Sequence, residues 1–217
     1  MRITPIKLTQ NVATAFRKLL QNESGPQVVV ERALQALEGA ALQTNDEFGA
    51  REIINTLHIM AKTRYLALVP KLEGRAEALA GTFNAQGVAN TLWACATMGR
   101  EPGAGLMREL GARAEAVAGT FNAQEVANTL WAVCLFSIFC THQEGSRWVH
   151  TVAQRLVSLD KPGCLNTAQL YQLHQFCVWC GVEPRLGEEE INDMQSLKEA
   201  CRSTFEGAKP AQSATQK

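Results

Sequence analysis

The residues able to do chemistry are few and poorly placed for catalysis. The four histidines, His58, His142, His150 and His174, have no serine or aspartate partner in a nucleophile-type setting, and neither a phosphate-cradling Gly-rich loop nor a GxSxG elbow occurs. One run resembles a metal site, His174-x-x-Cys177-x-x-Cys180, with Cys140 or Cys164 able to add a fourth ligand. On a helix, however, His174 and Cys180 diverge by about 120°, and zinc ligands usually stand on loops or turns. A buried helix face built from Leu170, Leu173, Phe176, Cys177 and Cys180 is the expectation, with no metal, no cofactor and no enzyme activity. The arginines say more. Arg75 and Arg113 recur at the edge of an apolar helical stripe, where an arginine packs its stem and aims its guanidinium into a groove. An intrahelical Glu109–Arg113 pair is the alternative, but the other copy has Lys71 in place of Glu109, and Lys71 repels Arg75. Arg75 and Arg113, with Lys71 and Arg108, are therefore candidate phosphate contacts.

A second set recurs with them. Asn55, Asn90 and Asn128 each precede a threonine, Thr56, Thr91 and Thr129. Asparagine is a poor mid-helix residue, so a specific hydrogen bond is expected to retain it. A bridge to the neighbouring repeat's backbone is the first reading, and ligand contact the second. Trp93 and Trp131, with His58 in the same slot, are expected to pack between adjacent repeats, mostly buried.

These residues recur because the elements that carry them recur. Arg75–Ala94 (RAEALAGTFNAQGVANTLWA) and Arg113–Ala132 (RAEAVAGTFNAQEVANTLWA) lie 38 residues apart and agree at 18 of 20 positions. Only Leu79/Val117 and Gly87/Glu125 differ. A fixed period of this length marks a stacked array. Each copy predicts two helices. Pro102 precedes Ala104–Ala118, whose stripe is Leu106, Leu110, Ala114 and Val117. Asn122 then caps a second helix, with Glu125 three residues on as in a capping box, and Gly99 suits the end of the preceding copy. The best copies span 66–101 and 102–139. Degenerate copies are expected near 9–22, 27–64 and 146–180, a capping helix at 187–206 and a disordered tail at 207–217. The fold class is all-α: an α-solenoid of about four stacked helix pairs with capping helices, filling 1–206.

Composition narrows the partners. Basic and acidic residues number 21 each, so the net charge is zero and nucleic-acid binding would have to come from a local patch. The longest apolar stretch, Leu130–Cys140, is eleven residues including Ser137, against the ~20 a membrane span needs, so no membrane partner is expected. The seven scattered cysteines fit buried free thiols rather than a disulfide framework. Residues 1–22 hold Arg2, Lys7, Arg17 and Lys18 and no acid, which suits either an organelle transit peptide or a first amphipathic helix.

The phrase FNAQxVANTLWA, followed by GREPGAGLMREL, resembles the helical repeats of the octotricopeptide and FAST-kinase-like, RAP-domain group of algae and protists. Leu165–Cys180 resembles the segment that precedes the RAP domain there, and no RAP domain follows in this sequence. The resemblance implies single-stranded organellar RNA as the partner, with other RNA-processing proteins, in mitochondrion or chloroplast; the cytoplasm is the alternative location. Two function classes stay open: an RNA-binding solenoid, and a protein-interaction scaffold in the manner of TPR or HEAT arrays, which the zero net charge favours.

Overall fold

The structure is a computed structural model of the chain. It describes residues 14, 15, 18, 48–63, 66, 68–139, 146–159 and 166–182. Among the described residues from 48 on, seven α-helices pack against one another: α1 (Ala50–Thr63), α2 (Val69–Leu79), α3 (Ala85–Thr97), α4 (Ala104–Val117), α5 (Ala123–Phe139), α6 (Ser146–Ser158) and α7 (Thr167–Val182). No strand occurs among the described residues. The capping helix expected at 187–206, the tail, and all of the 9–22 copy but Thr14, Ala15 and Lys18 lie outside them, as do the side chains of Cys177 and Cys180. None of the described helices is long and apolar enough to cross a membrane.

Local chemistry sets each boundary. Asn84 accepts a 2.8 Å hydrogen bond from the Gly87 amide and so caps α3. At α5 the expected capping box forms in both directions: the Glu125 amide donates to Asn122 Oδ1, and the Asn122 amide donates to the Glu125 carboxylate, each at 2.9 Å. At α7 Asn166 and Gln169 repeat the exchange at 2.7 and 3.0 Å. Gly99 ends α3 with φ +71°. Its amide bonds the Ala96 carbonyl and the Arg100 amide bonds that of Cys95, the paired closure that a left-handed glycine permits.

The helices form two layers. In one, α3 packs between α1 and α5, and α5 in turn packs on α7; in the other, α4 lies between α2 and α6. The core between them takes one side of every helix: Leu57, Leu92 and Leu130 from one layer, Leu72, Leu106 and Leu110 from the other, all no more than 2% exposed. Thr56, Thr91 and Thr129 are also fully buried. The first two donate back to the carbonyls of Glu52 and Gly87 at 2.7 and 2.8 Å, which lets a hydroxyl sit in an apolar seam.

Differences between the two near-identical copies follow from their neighbours. A methyl group at Gly87 would stand 2.8 Å from Ile54 of α1, so α3 needs glycine where α5 carries Glu125. Gly111 likewise leaves room for the indole of Trp148, 2.8 Å from where its Cβ would be. The same position in the preceding copy is Glu73, whose carboxylate is buried and meets Arg100 at 2.8 Å. Nothing in the structure explains the Leu79/Val117 exchange.

Candidate nucleic-acid interface

The repeated arginines have an acceptor that their sequence context does not reveal. Arg75 Nε donates to the Phe48 carbonyl at 3.1 Å and Arg113 Nε to the Phe83 carbonyl at 2.5 Å. Each phenylalanine carbonyl lies one residue ahead of the first acceptor of its helix, since Ile53 bonds Gly49 and Val88 bonds Asn84. Phe48 and Phe83 are no more than 1% exposed. Their carbonyls would otherwise be orphans at the helix start. Each arginine therefore fastens one helix pair to the pair before it. The Glu109–Arg113 pair does not form; Glu109 pairs with Arg108 at 3.2 Å instead.

Arg155 belongs to this set and was missed from the sequence. Its Nε donates to the Phe121 carbonyl at 3.0 Å, and Phe121 is fully buried. A signal was available: Leu68, Leu106 and Trp148 stand seven residues before Arg75, Arg113 and Arg155, and Leu72, Leu110 and Val152 stand three before them. All six apolar residues are buried. Lys71 and Arg108 project from α2 and α4 as exposed side chains, as does Arg147 from α6, which pairs with Glu115 at 3.1 Å.

The layer of α1, α3, α5 and α7 presents a stripe along each helix. On α3 the residues left partly or fully open are Gln86, Asn90, Trp93 and Thr97; on α5 they include Gln124, Asn128, Trp131 and Leu135; on α1, Arg51, Asn55, His58 and Lys62. Counting from the caps Asn122 and Asn166, Gln172 and Gln175 of α7 fill the asparagine and tryptophan slots. Two contacts hold these slots in register between neighbouring helices. The His58 and Trp93 rings lie 4.8 Å apart, centre to centre, and Trp131 Nε1 donates to Gln175 Oε1 at 2.6 Å. The tryptophans are thus half-buried between repeats, more open than their spacing implies.

The expected asparagine bridge is not formed: the amides of Asn55, Asn90 and Asn128 enter no hydrogen bond among the described residues. Asn55 is exposed and the other two are half-buried.

The titratable groups nearby are tuned by burial. Burial and, secondarily, the charge of Lys62 push the His58 imidazole below its ordinary 6.5, and its Nδ1 is buried without a hydrogen-bond partner. Burial raises the Glu73 carboxyl although Arg100 opposes it. The buried Cys95 thiol is pushed up to about 12, and Cys134 to about 11, so neither is a nucleophile. No group of three or more metal-ligating side chains comes together among the described residues.

A protein-family profile described as "Protein of unknown function (DUF1601)" matches residues 80–92 and 118–130. The matched segments are the same stretch of the two copies. Each holds the carbonyl-bearing phenylalanine, the capping asparagine and the half-open Asn90 or Asn128, and excludes the arginine and the tryptophan. No curated protein matches the chain.

Proposed function

We propose that this chain is a single-stranded RNA-binding helical-repeat protein, an α-solenoid of stacked helix pairs that acts on mitochondrial or chloroplast RNA in its processing, stability or translation. The organelle and the octotricopeptide-like, RAP-group kinship rest on the resemblance of the repeats. The observation that carries RNA binding is two rows brought to the same helices. Arg75, Arg113 and Arg155, carried by α2, α4 and α6, reach with their guanidiniums to the N-terminal ends of α1, α3 and α5, and Asn55, Asn90 and Asn128 follow within each of those helices.

The chemistry of the two rows is complementary. The carbonyl bond occupies Nε of Arg75 and Arg113 and leaves their Nη groups outside every hydrogen bond and ion pair among the described residues. Their guanidiniums are half-buried, held rigid, and placed where the helix dipole adds positive charge. That setting suits phosphate oxygens. The free amides beyond them can donate to and accept from base edges, and the His58–Trp93 ridge gives bases a surface to stack on.

The test is the salt dependence of binding to a mixed-sequence single-stranded RNA of about 12 nucleotides, followed by fluorescence anisotropy. Arg75→Gln/Arg113→Gln keeps an N–H donor for each carbonyl and removes both charges. Two lost phosphate contacts should lower the slope of log K against log salt by about 1.4. An unchanged slope removes these arginines from the phosphate path. If the wild type binds no RNA at low salt, the amide rows serve an extended peptide and the chain is a protein-interaction scaffold.

A further inference from the structure

We propose that the open flank of α7 is a self-association surface, on which Tyr171 and Val178 seat a second copy of this chain in a two-fold, antiparallel α7–α7 contact. The contact does not depend on RNA.

Register identifies the flank. In the layer of α1, α3, α5 and α7, the residues one before and six after the asparagine slot are Ile54 and Ala61, Ala89 and Ala96, and Ala127 and Cys134. These three pairs are no more than 9% exposed, because the next helix of the layer covers them. A Cβ at Gly87 of α3 would stand 2.8 Å from Ile54, and Cys134 Sγ lies 3.8 Å from the Gln175 carbonyl oxygen of α7. On α7, where Gln172 fills the slot, the same two positions are Tyr171 and Val178, and they are 64% and 51% exposed. They are two of the three large apolar residues left exposed among the described residues.

The chemistry of α7 fits a covered helix. Thr167–Val182 holds no Asp, Glu, Lys or Arg. The other described helix without a charge is α3, and it has a helix of its layer on each side. A helix that lacks a charged face is one that packing covers. The flank also differs from the inner ones. Apart from Ile54, the covered residues are alanine or cysteine, small enough to admit the next helix closely. Tyr171 and Val178 are larger. Tyrosine joins an apolar ring to a hydroxyl that water or a partner satisfies, which suits a surface that is wet before it is buried.

A second copy fits this surface by symmetry. Tyr171 and Val178 are two helical turns apart, ~10.5 Å along the axis. An antiparallel mate about a two-fold through His174 and Gln175 sets each Tyr171 against the partner's Val178, so one patch complements itself. His174, exposed on the same side, lies nearest the axis. No charge on α7 has to be desolvated, and a chain of net charge zero brings no long-range repulsion between copies.

Sedimentation equilibrium of the full chain tests the contact. One helix ~24 Å long makes a small interface, which places the dissociation constant in the micromolar range. Between about 1 and about 100 µM the wild type should therefore shift reversibly toward twice the 23.7 kDa chain mass. Tyr171→Lys and Val178→Glu should each weaken association at least roughly tenfold, by setting a charge against an apolar side chain. In Tyr171→Lys/Val178→Glu the opposite charges meet across the two-fold but stay two turns apart within each helix. That double variant should associate at least roughly fivefold more tightly than either single one. Circular dichroism checks that each variant keeps its helices, and Tyr171→Gln replaces Tyr171→Lys as the single variant should the latter not fold. Single variants that associate as the wild type does, or a double variant no better than the single ones, overturn the two-fold contact. So does a wild type that keeps the single-chain mass throughout; a lowered urea midpoint in Tyr171→Lys would then assign the flank to residues 187–206 of the same chain.

Discussion

At the residue scale, position and partner were not equally legible. Arg75 and Arg113 could be singled out because a charged residue repeated at a stripe edge is costly unless something answers it. The answer is a backbone carbonyl, Phe48 or Phe83, and a carbonyl leaves no mark in a sequence. The asparagines were legible as a signature through their repetition in mid-helix, but not that their amides enter no hydrogen bond among the described residues. His58 belongs to this scale too. Its folded-state pKa lies below 6.5 because burial disfavours the cation. Between that lowered value and 6.5 the unfolded chain binds more protons than the folded one, so stability rises with pH there and is lost on acidification. Denaturant midpoints measured from about pH 7.5 down to about pH 5 should therefore fall below 6.5, and His58→Gln, the residue type that Gln175 supplies in the same slot, should remove that component. A midpoint of the wild type that does not move with pH would contradict the burial of this ring. Glu73 acts in the opposite sense from its ordinary 4.5 upward, since desolvation raises its pKa despite Arg100; as pH climbs through that window the folded state loses stability.

At the element scale, helix types and caps were legible in the two central copies, where Asn84, Asn122 and Gly99 act as their residue types demand. The flanks were harder because the period drifts. The α1 slots lie 35 residues before those of α3, and the α7 slots 44 after those of α5, with glutamine replacing both asparagine and tryptophan. What no pattern displayed was the reason for each glycine. Gly111 sits under the Trp148 indole, whereas a methyl group at Gly74 would meet nothing within 4 Å. Gly111→Ala should accordingly destabilise by ~1–3 kcal/mol through overpacking. Gly74→Ala, in the middle of α2, should stabilise by ~0.5–1 kcal/mol through lost chain entropy. Urea titration of the two variants separates them by sign. Two shifts in the same direction would mean that the α4–α6 contact is looser than described.

For the whole molecule, the near-identity of the copies predicts that one can be removed. Deleting residues 64–101 joins α1 to α4, takes out Glu73 together with Arg100, and keeps Gly111 opposite Trp148. Arg113 then reaches the Phe48 carbonyl in place of Arg75. One conflict remains, Glu125 against Ile54, and Glu125→Gly relieves it as Gly87 does now. The shortened protein with that change should fold to a helical monomer with a lower urea midpoint and a smaller m-value. A chain without cooperative unfolding would show that the copies are not interchangeable.

The arginine fastening also gives the molecule a direction. Each guanidinium reaches back toward the N-terminus, and the two sides of that bond are unequal. An arginine deprived of its carbonyl sits half-open and turns to water at little cost. A phenylalanine carbonyl deprived of its arginine is sealed in the core, where an unmet acceptor costs ~1–3 kcal/mol. Replacing an arginine within the packed molecule therefore strands a carbonyl in the helix pair before it, whereas altering the carbonyl-bearing turn leaves only a solvated arginine behind. The cost of a broken fastening falls on the N-terminal partner of each joint.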